Sequence, residues 1–228
     1  MRYKYQYRKE QQMIMKQIII IGTGAVAAEL TMYLRDIPDV VLKGYLEYDY
    51  NIEKYYNTYN YEKPVLADLD TYIPEENDYF LIGVSNVPFR LKVINAIKSK
   101  KGKFYTLIHP TALIALDAKI GEGCTIAPFS MVGPHASIGN YNLLTSYSAI
   151  SHDCILGDNN TFSSAIVCGR VKIGDNNTFY IRSTVQPDLT IGNNNVIAAG
   201  MIVDSNLGDD ATVFYRFKER VLAIPKQN

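Results

Sequence analysis

Two short segments of this 228-residue chain carry residue types that can do chemistry. One is Ser151-His152-Asp153, in which an imidazole that titrates near neutral pH adjoins a carboxylate. The other is Gly22-Thr23-Gly24-Ala25-Val26-Ala27, a glycine-rich turn of G-x-G-x-x-A form. An imidazole can accept a proton from an attacking amine or hydroxyl, and a glycine-rich turn before a helix can hold a diphosphate. By pattern alone, the first segment equally fits a surface turn, and the second fits a dinucleotide, a nucleotide sugar or tight packing.

The chain has three histidines, and their spacing argues against a metal site. His109, His135 and His152 are far apart in the sequence, whereas histidine ligands of zinc commonly come in closely spaced pairs. We therefore expect no metal. His135 precedes Asp153 by eighteen residues, which is three periods of the repeat described next and one coil of a three-sided solenoid. We therefore expect it about one strand spacing, ~4.8 Å, from that residue. It either holds Asp153 in place or lies at the surface, and His109 is expected to pack at a domain junction.

A six-residue repeat fills the second half of the chain and decides how His152 is presented. Apolar residues occupy every sixth position from Ile114 to Phe162 and, after one deleted residue, from Val167 to Val203. A period of six suits neither a helix nor a plain strand, but it suits a solenoid of three-sided coils with one large buried side chain per face. Small residues four positions after the apolar anchors are expected inside as well, which makes Cys124 and Cys154 interior filler.

This register points His152 out of the solenoid. In the hexad that begins at Ile150, the first and fifth residues face inward, and His152 is the third. Asp153 is a candidate to orient His152, but consecutive residues of a strand point apart, so direct pairing requires a corner conformation. The alternative is that Asp153 is a solvated turn residue. Corners are expected at Gly-Asp-Asn-Asn segments such as 157–160 and 174–177, whose residues tolerate positive φ.

The first part of the chain alternates strand and helix patterns. Aliphatic runs and helical spacings predict strands at 17–21, 40–48, 65–66, 79–84 and 104–108, and helices from the glycine-rich turn to about 36 and over 87–100. Such alternation favours a small parallel sheet covered by helices, here a Rossmann-like α/β domain. The expected division is an N-terminal extension 1–15, the α/β domain 16–108, the solenoid 109–206 and a C-terminal tail 207–228.

Composition argues against several classes of function. Lys plus Arg equal Asp plus Glu, so the formal net charge of zero gives no reason to expect a nucleic-acid partner. No stretch approaches about eighteen apolar residues, and the first sixteen residues lack the apolar core of a signal peptide, so we expect no membrane span. Three cysteines, a small and odd number, favour a reducing cytoplasm over a disulfide framework.

Isoleucine-anchored hexads with an inserted His-Asp, preceded by a small G-x-G domain, resemble the left-handed β-helix acyltransferases of the hexapeptide-repeat type. The closer similarity is to the bacillosamine-type branch, which acetylates nucleotide-linked amino sugars and adjoins the sialic-acid O-acetyltransferases. The resemblance covers about Lys16 to Val203. It implies an α/β plus β-solenoid fold, with a parallel β-helix of about five coils; the left hand comes from the resemblance alone, since parallel crossovers are generally right-handed. It also implies a homotrimer with active sites between neighbouring β-helices.

The resemblance assigns roles to residues in both segments. His152 would be the general base, and Asp153 would orient it or stabilise its charge. The glycine-rich turn would hold the nucleotide sugar through Gly22, Thr23, Gly24 and Ala25. The other nucleotide-sugar candidates are one acid after the second strand, Glu47 or Asp49, and two residues after the fourth strand, Asn86 and Arg90. Arg90 equally fits an exposed helix cation.

Acetyl-CoA is expected along the later coils, where its pantetheine arm would pair with backbone as an added edge strand does. By resemblance, the arm and its phosphates are assigned to Gly169, Arg170, Arg182, Ala198, Ala199 and Gly200, with Lys172 as a further cation. Each cation also fits an ordinary surface role. The chain departs from the family after Val213, where Ile224-Pro225-Lys226 is expected to be a remnant of the usual closing segment.

These assignments predict a cytoplasmic, acetyl-CoA-dependent N-acetyltransferase that acts by direct transfer on a nucleotide-linked amino sugar made for surface glycans or glycoproteins. Two other functions stay open: O-acetylation of a sialic acid or related sugar, and a non-catalytic nucleotide-binding solenoid scaffold. An NAD-dependent oxidoreductase is disfavoured because an α/β domain of about 90 residues is short for a dinucleotide fold of two halves. The sequence does not specify the nucleobase, the sugar, the acceptor carbon or the acyl group.

Overall fold

The computed structural model describes residues 15–48 and 58–215, which form a parallel α/β unit followed by a parallel β-solenoid. Two predicted features, Asp49 and Ile224-Pro225-Lys226, lie outside the described residues, as does the N-terminal extension except for Met15. Helices of the α/β unit include α1 (Ala25–Tyr33), which a 3₁₀ turn (Leu34–Asp36) continues, and α2 (Val87–Ser99). The strands of its sheet are β1 (Lys16–Ile21), β2 (Val40–Glu47), β3 (Val65–Asp68), β4 (Asp78–Ile82) and β5 (Lys103–Phe104).

The sheet of the α/β unit is parallel, in the spatial order β3-β2-β1-β4-β5. The isoleucines 18–21 of the central strand are at most 1% exposed, as expected of a strand covered on both faces. Asn86 is the N-cap of α2, and its Oδ1 accepts a hydrogen bond from the Phe89 N–H at 3.0 Å. Pro88 lies in the first turn, where its missing N–H costs no hydrogen bond within the helix. The predicted elements of this unit are confirmed to within about two residues, apart from the last strand.

The single strand predicted over 104–108 is wrong, because the chain divides it between two sheets. β5 ends at Phe104 and pairs with β4, whereas Leu107–Ile108 is the first strand of the solenoid, β6. The Leu107 N–H donates to the Cys124 carbonyl at 2.8 Å, and the His109 N–H donates to the Ile126 carbonyl at 2.9 Å. The aliphatic pattern could not reveal this change, because it depends on which sheet offers the backbone partners.

The solenoid consists of two-residue strands on three faces, joined by short corners. Face I holds six strands (β7, β10, β13, β16, β19, β22), face II holds five (β8, β11, β14, β17, β20) and face III holds seven (β6, β9, β12, β15, β18, β21, β23). The predicted count of about five coils is not confirmed, since two faces are longer. The strands are β6 (Leu107–Ile108), β7 (Leu113–Ile114), β8 (Lys119–Ile120), β9 (Thr125–Ile126), β10 (Met131–Val132), β11 (Ser137–Ile138), β12 (Leu143–Leu144), β13 (Ala149–Ile150), β14 (Ile155–Leu156), β15 (Thr161–Phe162), β16 (Ile166–Val167), β17 (Lys172–Ile173), β18 (Thr178–Phe179), β19 (Thr184–Val185), β20 (Thr190–Ile191), β21 (Val196–Ile197), β22 (Ile202–Val203) and β23 (Thr212–Val213).

The hexad anchors form the core of the solenoid. All the predicted anchors from Ile126 to Val203 are buried, and the first two, Ile114 and Ile120, are half-buried against the same core. Phe162 and Phe179 stack one coil apart, with ring centroids separated by 4.7 Å. Each coil thus buries one large apolar side chain per face, and this burial stabilises the stack.

A ladder of buried amides holds the corner that follows face II. Its rungs are Asn142, Asn160, Asn177 and Asn195. The Oδ1 atom of each accepts a hydrogen bond from a backbone N–H of the next coil, at 2.7 to 2.8 Å. The residue before a rung adopts the left-handed conformation, for example Asn176 with φ of 60°. The Gly-Asp-Asn-Asn segments are therefore corners, as predicted, and their last asparagine satisfies buried backbone groups.

A buried arginine joins the α/β unit to the solenoid. Arg90 of α2 is 1% exposed, and its Nε donates to Asn159 Oδ1 at 3.1 Å. The other guanidinium nitrogens donate to the carbonyl oxygens of Val84 and Tyr141. Burial lowers the pKa of Arg90 to about 10, which leaves it charged at neutral pH. The sequence left two interpretations of Arg90, a ligand contact and an exposed cation. Both are wrong, because the buried side chain joins α2 to a corner of the solenoid.

His109 packs at the junction of the two units, as predicted. Its side chain is nearly buried, with Nε2 3.1 Å from Asp36 Oδ2 and Nδ1 2.9 Å from Thr111 Oγ1. The ring lies edge-on to Tyr33, with centroids 5.7 Å apart. His109 is therefore occupied with structural contacts and is not available as a base.

Candidate active site

His152 lies at the corner that follows β13 on face I, and its side chain points outward, as the register predicted. Half of its side-chain surface, 50%, is exposed. Its Nδ1 atom lies 2.7 Å from Oδ2 of Asp153. The imidazole and the carboxylate therefore form a hydrogen-bonded pair, which we call the His152–Asp153 pair.

The backbone of Asp153 explains how two consecutive residues can pair. Its φ is +57°, in the left-handed region, which aspartate tolerates better than most residues. The Asp153 N–H donates to the Pro134 carbonyl at 2.9 Å, and the His152 carbonyl accepts from the Arg170 N–H at 3.0 Å. The coils before and after this corner therefore hold the conformation that brings both side chains to the same side.

The His152–Asp153 pair has the geometry of an oriented general base. A carboxylate on Nδ1 fixes the N–H at that atom and leaves the lone pair on Nε2 to accept a proton. The hydrogen bond from His152, followed by that from His135, lowers the pKa of Asp153 below its usual value. Asp153 is thus ionised at neutral pH and accepts hydrogen bonds without competing for the proton.

Gly169, one coil further on, lies against the imidazole of His152. A Cβ atom at position 169 would be 2.5 Å from both Cε1 and Nε2 of His152. Such a distance is far shorter than a van der Waals contact, so the ring fits there only because residue 169 has no side chain. The position of Nε2 is therefore set by the missing side chain as well as by Asp153.

Charged residues stack above and below Asp153 at the same corner. His135, one coil earlier, places Nδ1 3.2 Å from Asp153 Oδ1 and Nε2 3.0 Å from Asp117 Oδ2. The predicted proximity of His135 to Asp153 is confirmed. One coil later, Arg170 binds both carboxylate oxygens of Asp188, at 2.5 and 2.7 Å. The guanidinium of Arg170 is thus held by Asp188 in this structure.

The glycine-rich turn borders a cleft of about 340 Å³ at the carboxyl ends of β1, β2 and β4. Gly22, Thr23, Gly24, Ala25 and Glu47 all line it, so these predicted residues come together. The hydroxyl of Thr23 donates to Glu47 Oε2 at 2.5 Å, and the Tyr48 N–H donates to Glu47 Oε1 at 3.1 Å. The structure thus fixes a carboxylate beside the turn at the start of α1.

Two predicted nucleotide-sugar residues are not among those that line this cleft, and several lining residues were missed. Asn86 caps α2 instead, and Arg90 is buried against the solenoid. The missed residues include Tyr48, Ser85 and Phe89. Tyr48 and Phe89 pack edge-to-face with centroids 4.7 Å apart, although they come from different elements. Tyr48 could have been found from its position at the end of β2, but nothing in the sequence indicated that Phe89 faces it.

The residues predicted to contact acetyl-CoA lie at two corners that flank face I. Gly169 and Arg170 follow β16, whereas Arg182 precedes β19 and Gly200 precedes β22. Arg182 and Gly200 occupy equivalent positions in successive coils, with φ of 56° and 71°. The Gly200 N–H donates to the carbonyl oxygen of Ile181, at 2.9 Å. Arg182, Ala199 and Gly200 are exposed, and Ala198 is half-buried.

Within residues 15–48 and 58–215, no three His, Cys, Asp or Glu side chains are arranged to hold a metal ion. No helix in that part of the chain has the length and apolar character needed to cross a lipid bilayer. The three cysteines are free thiols, and burial raises the pKa of Cys124 to about 11. A thiol so protonated and enclosed does not serve as a nucleophile, which agrees with the prediction that Cys124 fills the interior.

Comparisons with known proteins give partial sequence similarity and extensive similarity of fold. The chain is 30% identical over 95 residues to GDP-perosamine N-acetyltransferase from Escherichia coli O157:H7, a stretch that covers 42% of this chain and 43% of that protein. The chain thus matches less than half the length of this curated relative. No family model matches the chain.

Two solved structures share the fold over most of both chains. The acetyltransferase domain of PglB from Neisseria gonorrhoeae FA1090, in complex with acetyl coenzyme A, superposes with a TM-score of 0.74 at 18% identity, over 87% of this chain and 95% of that one. PerB from Caulobacter crescentus, in complex with CoA and GDP-perosamine, gives a TM-score of 0.68 at 20% identity, over 86% and 92%. The resemblance to hexapeptide-repeat sugar acyltransferases of the bacillosamine type is thus supported by the sequence of one N-acetyltransferase and by the fold of two solved structures.

Proposed function

We propose that this chain is an acetyl-CoA-dependent N-acetyltransferase that acts on the amino group of a nucleotide-linked amino sugar. The observation that carries the proposal is the His152–Asp153 pair, in which a carboxylate holds Nδ1 at 2.7 Å and Nε2 remains a proton acceptor. The similar proteins support the choice of substrates. They include a GDP-perosamine N-acetyltransferase and structures that contain acetyl coenzyme A, CoA or GDP-perosamine.

Transfer is direct in this proposal. The amine nitrogen attacks the thioester carbonyl, and His152 Nε2 accepts a proton from that nitrogen as the new C–N bond forms. The C–S bond then breaks, and the proton passes to the sulfur of the departing CoA. Backbone N–H groups stabilise the oxyanion between these steps. His152 returns to its neutral form without a covalent enzyme intermediate.

The nucleotide sugar is assigned to the cleft at the glycine-rich turn. The strand order β3-β2-β1-β4-β5 supports a Rossmann-like domain over 16–108, and the turn leads into α1, whose N-terminal N–H groups favour a diphosphate. Glu47, which lines the cleft at the end of β2, is assigned to the nucleoside. The acceptor sugar then reaches the left-handed β-helix proposed for 109–206, and 1–15 and 207–228 remain an extension and a tail.

Acetyl-CoA is assigned to the later coils along face I. Gly169 lies against the His152 imidazole, and the exposed backbone at Ala199 and Gly200, with the half-buried Ala198, can pair with pantetheine amides. Arg182 is exposed and is proposed to face the phosphates. Arg170 would do so only after exchanging Asp188 for a phosphate, since it is a bidentate partner of that carboxylate.

A homotrimer is proposed because face I is apolar on its outer side. Leu113, Ile166 and Ile202 are 69%, 44% and 58% exposed in the single chain. Exposed apolar surface of this kind marks an interaction site, and the neighbouring corner carries His152. A second copy on this face would enclose the site from the side. The three free thiols fit the reducing cytoplasm that we propose as the location.

Replacing Glu47 by Gln is expected to raise the KM for the nucleotide sugar at least severalfold and to leave the KM for acetyl-CoA unchanged. The carboxylate accepts from Thr23 Oγ1 and from the Tyr48 N–H, so its loss removes a charge and an acceptor from the cleft alone. Steady-state kinetics with each substrate varied would check this. Glu62→Gln, at an exposed glutamate away from the cleft, is the matched control. Unchanged KM values in the Glu47 variant would show that Glu47 does not contribute to binding of the nucleotide sugar.

The function itself is tested by incubating the protein with acetyl-CoA and a panel of UDP-, dTDP- and GDP-linked amino sugars, with thiol release as the readout. We expect release with one or more nucleotide-linked amino sugars and little with free sugars. Release only with free sialic acids would identify an O-acetyltransferase instead. If no thiol is released with any acceptor, and calorimetric titration of acetyl-CoA gives no heat, the protein is a non-catalytic scaffold.

A further inference from the structure

His135 contacts a carboxylate with each of its ring nitrogens. Nδ1 lies 3.2 Å from Asp153 Oδ1, and Nε2 lies 3.0 Å from Asp117 Oδ2. A neutral imidazole carries one N–H, so one of these contacts would set a nitrogen lone pair against a carboxylate oxygen. Only the imidazolium donates at both nitrogens. The backbone N–H of His135 also donates to Asp117 Oδ2, at 3.2 Å, which anchors the outer carboxylate.

Asp153 shares its two carboxylate oxygens between the two histidines. Oδ2 accepts from His152, and Oδ1 accepts from His135. The carboxylate is 45% exposed, so nothing buries it in this orientation and these contacts fix its rotation. The next cation along the corner, Arg170, is engaged with Asp188 and does not take this oxygen. The charged or titratable groups around His135 and Asp153 are therefore Asp117, His152, Arg170 and Asp188.

We propose that His135, as an imidazolium held between Asp117 and Asp153, is a positioning residue that fixes the Asp153 carboxylate on His152. This inference rests on the proposed function, because it assigns His135 a part in presenting the general base. The contact between His135 Nδ1 and Asp153 Oδ1 holds the carboxylate in the rotation that places Oδ2 on His152.

The test compares the kcat of His135→Gln and His135→Ala with that of the unaltered protein. The glutamine amide can still donate to Asp153, so we expect near-normal kcat. The alanine loses the donor, so we expect a fall in kcat of roughly threefold to tenfold. Lys119→Gln, which removes an exposed charge from the coil of Asp117, is the control and should not change kcat.

A second measurement does not depend on turnover. Long-range ¹H–¹⁵N spectra of the full-length protein at neutral pH should identify His135 by its loss in His135→Gln, with both of its ring nitrogens protonated. A singly protonated His135, or a His135→Ala variant whose kcat matches that of the unaltered protein, would overturn the inference. The His152→Asn variant separates this inference from the proposed function: if His152→Asn abolishes activity while His135→Ala changes nothing, the inference fails alone. If His152→Asn remains active, the proposed function fails first.

Discussion

Replacement of His152 by Asn is expected to lower kcat/KM by about 10² to 10⁴, the usual contribution of a general base. Asparagine occupies similar space but has no atom that accepts a proton at neutral pH. The loss should fall mainly on kcat, because in the proposed mechanism His152 moves a proton during the transfer step and does not hold either substrate. Steady-state kinetics with the preferred nucleotide-linked amino sugar, and with acetyl-CoA saturating, would measure it.

The controls for His152→Asn are folding and substrate binding. The side chain is half exposed and lies outside the apolar core, so we expect thermal unfolding within about 1 °C of the unaltered protein. Calorimetric Kd values for both substrates should also be preserved. Turnover within a few-fold of normal would remove His152 from its role as base. Asp153, whose pKa is lowered by its hydrogen bond from His152, is ionised at neutral pH, so it orients His152 without taking up the proton itself.

Replacement of Gly169 by Ala is expected to lower kcat at least tenfold, although residue 169 has no functional group of its own. The added methyl would lie 2.5 Å from Nε2 and Cε1 of His152. Relief of that overlap requires the ring to rotate, which breaks the 2.7 Å contact with Asp153 and moves Nε2 from the nucleophile. Displacement of a catalytic group by about 1 Å can cost about a hundredfold in rate. The measurement is kcat at saturating substrates.

Gly208→Ala is the matched control, because a Cβ atom at position 208 would meet no heavy atom within 4 Å. Its kinetics should equal those of the unaltered protein. The glycine-to-alanine change at position 169 should also leave the unfolding midpoint almost unchanged, since the clash falls on an exposed ring that can move away. A Gly169→Ala enzyme with normal kcat would mean that His152 does not act from the position seen in this structure.

The hexad repeat allowed the solenoid core to be predicted from the sequence, because an apolar side chain at every sixth position marks the buried positions. Every anchor from Ile126 to Val203 is buried, and the outward direction of His152 followed from the same register. The glycine-rich turn and Glu47 were also found, since both stand at the ends of predicted strands. The sequence gives these features because they depend on local periodicity and on the rule that parallel strands end at one edge.

Arg90 and the strand at 104–108 mark where local patterns stop being informative. Arg90 has the same local signal as a surface cation on a helix, but α2 faces the solenoid, and Asn159, Val84 and Tyr141 provide its acceptors. The break between β5 and β6 likewise depends on two competing sheets. Neither outcome is encoded within a window of a few residues, because the partners are distant in the chain.

The sequence by itself determined the repeat, the inward anchors, the exposed histidine and the glycine-rich turn. Only the tertiary structure decided that His152 and Asp153 touch, because that contact needs φ of +57° at Asp153, which the hydrogen bonds of the adjoining coils maintain. It also decided that the imidazole rests on Gly169 and that His135 lies between two carboxylates. The physical reason is that side chains a whole coil apart in sequence become neighbours only through stacking, and stacking distances of a few ångströms decide which hydrogen bonds form.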